Sequence, residues 1–113
     1  AVERARTAEQ TSEFEEAAAQ WARALETTPS ADVANRAAMC LRRAGTDARR
    51  AAKYGEEAVK LDPHKATYRV TLALIYADAG LVLRARGEID RAKALEPDNP
   101  VVKDGLAKLK GMK

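Results

Sequence analysis

The stretch YRVTLALIYADAGLVLRA, residues 68–85, decides how the chain is read. Of residues 70–83, thirteen are uncharged and mostly apolar, and only Asp78 interrupts them. A membrane-spanning helix needs about 20 consecutive apolar residues. Here Arg69, Asp78 and Arg84 bracket or break the run, so it fails as a span. What remains is a buried strand or a piece of something periodic, and the rest of the chain chooses between them.

A chain of 113 residues fits one domain with one core or one stack. It is rich in alanine and charge, and it holds only five aromatics (Phe14, Trp21, Tyr54, Tyr68, Tyr76). β-rich domains lean on branched and aromatic residues, whereas this composition favours helices. The expected fold is all-α.

The formal net charge is +3, unevenly spread. Three basic against six acidic side chains give residues 1–30 a charge of −3, and eight against five give residues 31–65 a charge of +3. Residues 66–99 balance at five of each, and four against one give residues 100–113 a charge of +3. No block of five or six like charges forms a nucleic-acid arm. The densest basic cluster is Arg42, Arg43, Arg49 and Arg50. Cys40 is the single cysteine, which points to a reduced cytoplasmic setting and not to a disulfide scaffold. The absence of an initiator Met suits a processed product or an excised domain of a longer parent chain.

Self-similarity supplies the periodicity. FEEAAAQWARALETTP (residues 14–29), ARRAAKYGEEAVKLDP (48–63) and VLRARGEIDRAKALEP (82–97) superimpose at steps of 34. Ala17, Ala51 and Ala85 then coincide, as do Ala24, Ala58 and Ala92, and Pro29, Pro63 and Pro97. Upstream, ADVANRAAMCLRRAG and ATYRVTLALIYADAG align at a step of 35, with Gly45 on Gly80. Each unit reads helix, glycine turn, helix, proline stop. Helices are expected at 31–44, 48–61, 66–79, 81–95 and 100–110. An earlier one starts at residue 3 or at the SEFE capping box of Ser12 and ends at 28. The small recurring alanines allow helices to approach within about 8–10 Å. Trp21, Leu72, Tyr76 and Leu83 are expected to fill the layers between them.

This pattern resembles the tetratricopeptide repeat (TPR) family, whose 34-residue unit carries Leu-Gly, Tyr, Ala, an aromatic, Ala and Pro at fixed places. The best unit supplies Leu72-Ala73, Tyr76, Gly80, Ala85, Ile89, Ala92 and Pro97. The resemblance implies a helical-repeat solenoid, a TPR superhelix of about six antiparallel helices forming a single domain over residues 1–113. Residues 1–30 form a partial repeat with its second helix at 12–28, residues 31–65 and 66–99 form full units, and 100–113 form a capping or truncated-repeat helix. Departures from the pattern are Ala34 and Arg69 in the slots of an expected Trp, one extra residue in the turn beginning at Gly45, and Gly55 where Trp21 and Ile89 stand elsewhere. Tyr54 is expected to fill the gap at Gly55.

The family's concave face, lined by the first helix of each unit, holds an extended peptide or a partner helix. On this chain that face would comprise Asn35, Met39, Arg42 and Arg43, with Asp32 and Arg36 alongside. The next unit would add Thr67, Val70, Leu74 and Asp78, with Thr71. Val101, Asp104 and Lys108 would extend it. Val70 and Leu74 either receive an apolar ligand side chain or pack on the following helix, and the sequence leaves both readings open. The Lys, Asn and Arg clamp that some family members use for a C-terminal carboxylate is missing. The phrase EEAVKLDPHKATYRVTLALIYADAGL also resembles repeat segments of bacterial multidomain proteins such as J-domain cochaperones, which implies a docking arm of a larger chaperone-related or regulatory protein.

No enzyme is expected. His64 is the single histidine, in a turn, and no phosphate loop, nucleophile elbow or H-E-x-x-H occurs. Cys40 reads as a small core residue. No cofactor, metal or membrane is expected, and the expected partner is a protein or peptide; RNA binding through Arg42, Arg43, Arg49 and Arg50 stands behind this as a further alternative, although the next unit does not repeat those arginines. The alternative is a structural scaffold or homo-oligomer in which surfaces at Trp21 or Ile89 complete a neighbour's unfinished end.

Overall fold

A computed structural model describes the backbone of residues 2–110 and the side chains of residues 12–110. The described residues form six helices: α1 (Val2–Thr27), α2 (Ala31–Ala44), α3 (Ala48–Leu61), α4 (Ala66–Asp78), α5 (Val82–Leu95) and α6 (Pro100–Lys110). No strand occurs among the described residues.

Local chemistry sets most boundaries. Ser30, with extended backbone, accepts a hydrogen bond from the Val33 amide at 3.3 Å and opens α2. Asp47 does the same for the Arg50 amide at 3.1 Å and opens α3, which explains the extra residue in that turn. Asn99 accepts from the Val101 amide at 2.8 Å at the head of α6. Gly45 and Gly80, at φ of +69° and +81°, reverse the chain after α2 and α4 in a backbone conformation that a Cβ disfavours. α1, α3 and α5 each end two residues before a proline. The capping box expected at Ser12 does not form, because α1 runs unbroken from Val2 and carries Ser12 in its interior.

Each helix packs on its neighbour in the chain, and the short turns make neighbours antiparallel. Two further contacts join α2 to α4 and α4 to α6, whereas α1, α3 and α5 make no comparable contact with one another. The even-numbered helices therefore form one close row and the odd-numbered helices a second, more open one. α4 lies at the centre, against α2, α3, α5 and α6. It buries Ala66, Tyr68, Val70, Leu72, Ala73, Ile75, Tyr76 and Ala77. A helix packed against four others must be apolar over most of its circumference, which accounts for the density of residues 68–77.

The recurring small residues sit where helices touch. Ala51, Ala58, Ala85 and Ala92 are all within 1 % of full burial. Ala24, their counterpart in α1, is exposed, because α1 lies closely against α2 alone. The space at Gly55 is filled from α4: a Cβ there would meet Leu72 Cδ1 at 3.0 Å and Ile75 Cδ1 at 3.4 Å. Tyr54 does not fill it and packs half-buried beside Ala18, Ala38, Leu41 and Ala51. Leu83 is also not a layer residue. It stands 84 % exposed near the start of α5, off the buried strip of Ala85, Ile89 and Ala92.

Two polar linkages tie α4 to the open row. Arg69, in a slot expected to hold an aromatic, donates from Nε to the Pro63 carbonyl at 3.0 Å and from Nη1 to Glu88 of α5 at 2.9 Å. Glu88 is buried and also accepts from Arg91 at 2.7 Å. The Tyr76 hydroxyl donates to Glu56 of α3 at 2.7 Å. Burial first, then that hydrogen bond and the Glu56 charge, push the Tyr76 hydroxyl above its ordinary pKa of 10.0.

Removing Glu88 strands the mostly buried Arg69 guanidinium, so Glu88→Ala should cost about 2–4 kcal/mol of unfolding free energy. Arg91→Ala removes only an exposed partner and should cost about 0–1 kcal/mol. Urea midpoints at an unchanged slope measure both. Because the folded state raises the Tyr76 pKa, the stabilisation it gives is complete below the unfolded value of about 10 and is lost as pH climbs through the folded value. Above pH 10 the wild type should therefore lose stability more steeply than Tyr76→Phe, as read by circular dichroism.

Candidate binding recess

The row α2, α4, α6 encloses a recess of about 210 Å³. α2 contributes Met39, Arg42 and Arg43, α4 contributes Val70, Thr71 and Leu74, and α6 contributes Val101, Asp104 and Lys108. The spacing explains the convergence. Residues three and four apart on a helix share a face, and short turns align these faces in successive even-numbered helices.

Apolar surface in the recess is unequal. Met39 and Val101 are 36 % and 46 % exposed, and Leu74 is half-buried against the core. Val70 is only 2 % exposed, and this separates two residues the sequence could not distinguish. Its Cγ1 lies 2.9 Å from where a Cβ on Gly105 would stand, so the glycine lets α6 close over Val70. Val70 is thus a core residue at the floor, packed on the following helix, which is one of the two readings the sequence left open.

Charge lies on the rim. Arg42 Nε donates to Asp78 at 2.8 Å across the α2–α4 contact, Lys108 pairs with Asp104 at 3.0 Å, and the Arg43 guanidinium rests 5.8 Å from the centre of the Phe14 ring. Both ion pairs are half-exposed and contribute about 0–1 kcal/mol each, so neither locks its cation away from another anion. Asp78 sits outside the recess, holding Arg42, and a smaller hollow beyond it is lined by Leu41, Gly45, Ala48, Ala51 and Ile75.

Asn35 lies one turn before Met39, with its amide nitrogen 3.4 Å from the Met39 sulfur. Its Oδ1 is buried and has no hydrogen-bond partner among the described residues. Asp32 and Arg36 pair at 2.9 Å, and Arg36 lies over the Trp21 ring at 5.4 Å, so both serve the α1–α2 contact. Thr67 is not in the recess. It sits at the far end of α4 among Asp62, His64, Lys65, Glu96 and Asn99 and accepts the Thr71 hydroxyl at its carbonyl.

Sequence reasoning missed Phe14 as the aromatic beneath Arg43, a contact that depends on α1 crossing α2 in register. It also missed the Arg69–Glu88 pair. The signal was an arginine in an aromatic slot facing the next helix, which requires an acid opposite. Among the described residues no group of three His, Cys, Asp or Glu side chains is placed to hold a metal ion. None of the helices is long and apolar enough to cross a membrane.

No model of a known protein family matches the chain, and no curated protein matches it either. The recess presents an apolar patch of about three side chains, Met39, Leu74 and Val101, under a cationic rim.

Cys40 is half-buried beside Ala18, Ala38 and Leu41. Burial pushes its thiol above the ordinary 9.0, against the pull of Arg43 and Arg36. At neutral pH, iodoacetamide should modify it at least about threefold more slowly than an unstructured cysteine, and denaturant should abolish the difference.

Proposed function

We propose that the chain is a TPR-type helical-repeat module that binds an extended peptide or a partner's helix in the α2–α4–α6 recess. The reading is supported by the 34-residue register, by the two positive-φ glycines at matching places, and by a close row of even-numbered helices beside an open row of odd-numbered ones. That asymmetry curves a stack toward its close row. The observation that carries the binding reading is the convergence of Met39, Leu74 and Val101 with Arg42, Arg43 and Lys108 on one surface.

The preferred ligand is a peptide with an apolar anchor next to an acidic residue. The anchor would cover Leu74 and Met39 and remove apolar surface from water. The acid would meet Arg43 or Lys108 at the rim, where charge governs orientation and encounter rate more than affinity. A binding module of this kind needs no catalytic group, and it suits a docking arm of a larger chaperone-related or regulatory protein in the cytoplasm. An RNA-binding reading has less behind it: Arg42 and Arg43 are already engaged by Asp78 and Phe14, and Arg49 and Arg50 lie on α3, outside the recess.

Selection from a random peptide library on the 113-residue chain should enrich sequences that pair a large apolar residue with Asp or Glu. Nuclear magnetic resonance shifts on adding such a peptide should cluster at Met39, Leu74 and Val101. Leu74→Glu should weaken binding at least about tenfold, close to 1.4 kcal/mol, with helicity unchanged. Equal affinity for wild type and Leu74→Glu, or shifts that avoid α2, α4 and α6, would refute the assignment.

A further inference from the structure

Two helix faces lack the neighbour that their counterparts elsewhere in the chain possess. α3 turns Ala51 and Ala58 toward α2, and α5 turns Ala85, Glu88 and Ala92 toward α4; all five are buried. At the same register on α1 stand Ala17, Gln20 and Ala24. Gln20 and Ala24 are exposed, because no helix among the described residues covers that side of α1. α6 presents the reverse case. Lys103, Ala107 and Lys110 are exposed and occupy, 34 residues on, the register of Arg69, Ala73 and Tyr76. Those three α4 residues meet α5: Arg69 binds Glu88, Ala73 shares a core cluster with Ala85 and Ala92, and Arg84 lies 6.0 Å from the Tyr76 ring. Among the described residues, then, α1 has no helix on the side where α3 and α5 meet a first helix, and α6 has none on the side where α4 meets α5.

We propose that these two faces bind each other between copies, α6 of one molecule lying along α1 of the next as α4 lies along α5. Ala107 then packs near Ala17 and Ala24, in the manner of Ala73 near Ala85 and Ala92. Charge points to the same occupant. Residues 1–30 carry a formal −3 and residues 100–113 a formal +3. In the transferred register Lys110 takes the place of Tyr76, and Glu16 takes the place of Arg84 beside it. Lys103 takes the place of Arg69 and meets Gln20 where Arg69 meets Glu88. Like faces would repel: two α1 faces bring Glu13 and Glu16 against their own kind, and two α6 faces bring lysine to lysine. The contact is heterologous and head-to-tail, so it repeats into open chains. Ile89 has no part in it, being 2 % exposed under α6, which corrects the expectation that its surface could complete a neighbour. The proposal depends on the repeat register and is independent of ligand binding in the recess.

Sedimentation velocity on the 113-residue chain at low ionic strength tests it. The mean mass should rise with concentration over about 10–500 µM, the range of a small interface. Raising salt from about 50 to 500 mM should reduce the rise, because exposed charges are screened beyond a few ångströms. Ala24→Arg and Ala107→Arg change exposed positions to another good helix former, so circular dichroism and melting should stay as in the wild type. Each variant alone should remain monomeric, and an equimolar mixture should give a 1:1 dimer and nothing larger, since only one compatible pair of faces is left. Leu74→Glu should associate like the wild type. A wild type monomeric over the whole range, a single variant that dimerises by itself, or a mixture without dimer would overturn the proposal.

Discussion

The burial of α4 against four neighbouring helices is the constraint from which the rest of the structure follows. Eight of its residues lose contact with water, and each needs a neighbour close enough to replace that contact. Small residues on the surrounding helices allow this. Gly55 brings α3 against Leu72 and Ile75, Gly105 brings α6 against Val70 and Ile89, and Ala85 and Ala92 bring α5 against Ala73. A side chain larger than hydrogen at either glycine would hold a whole helix away from the centre, because interiors at native density have no spare volume. Closure of α6 over Val70 in turn forms the third wall of the recess.

The polar contacts follow from the same geometry. Arg69 and Tyr76 flank the apolar strip of α4, where their stems are covered and their polar ends reach Glu88 and Glu56 on the two adjacent odd-numbered helices. These contacts fix the rotation of α4 about its axis. Packing of leucine and alanine alone tolerates a slip of one residue more readily than a buried ion pair does, since a slip would leave Arg69 without an acid. With rotation fixed, Leu74 turns toward the recess and Ile75 toward α3.

Much of this was legible in the sequence. The triple proline register and the paired glycines marked the helix ends to within a residue or two, because backbone chemistry at Pro and Gly is local. That Met39, Arg42, Arg43, Leu74, Val101, Asp104 and Lys108 share a face was what the TPR resemblance implied, and in the structure these residues line one recess. The errors have a common cause. Leu83, Tyr54 and Ile89 were read by hydrophobicity or by analogy between units, and the two readings of Val70 stayed open, because exposure depends on which neighbour is present. α5 leaves Leu83 uncovered, and α6 covers Val70 and Ile89. Thr67 shares the face of Val70 and Leu74 yet lies at another level, near Asn99, a difference along the helix axis that periodicity does not carry.

The sequence by itself determined that this chain is helical, where its helices stop, and which residues share a face, because each of these is decided within one or two turns of backbone. Only the tertiary structure decided that Val70 belongs to the core while Leu74 borders a recess, that Arg43 lies on Phe14, and that Ala24 and Ala107 are uncovered while Ala58, Ala73 and Ala92 are not. Burial is a property of two surfaces, and a single helix supplies only one of them.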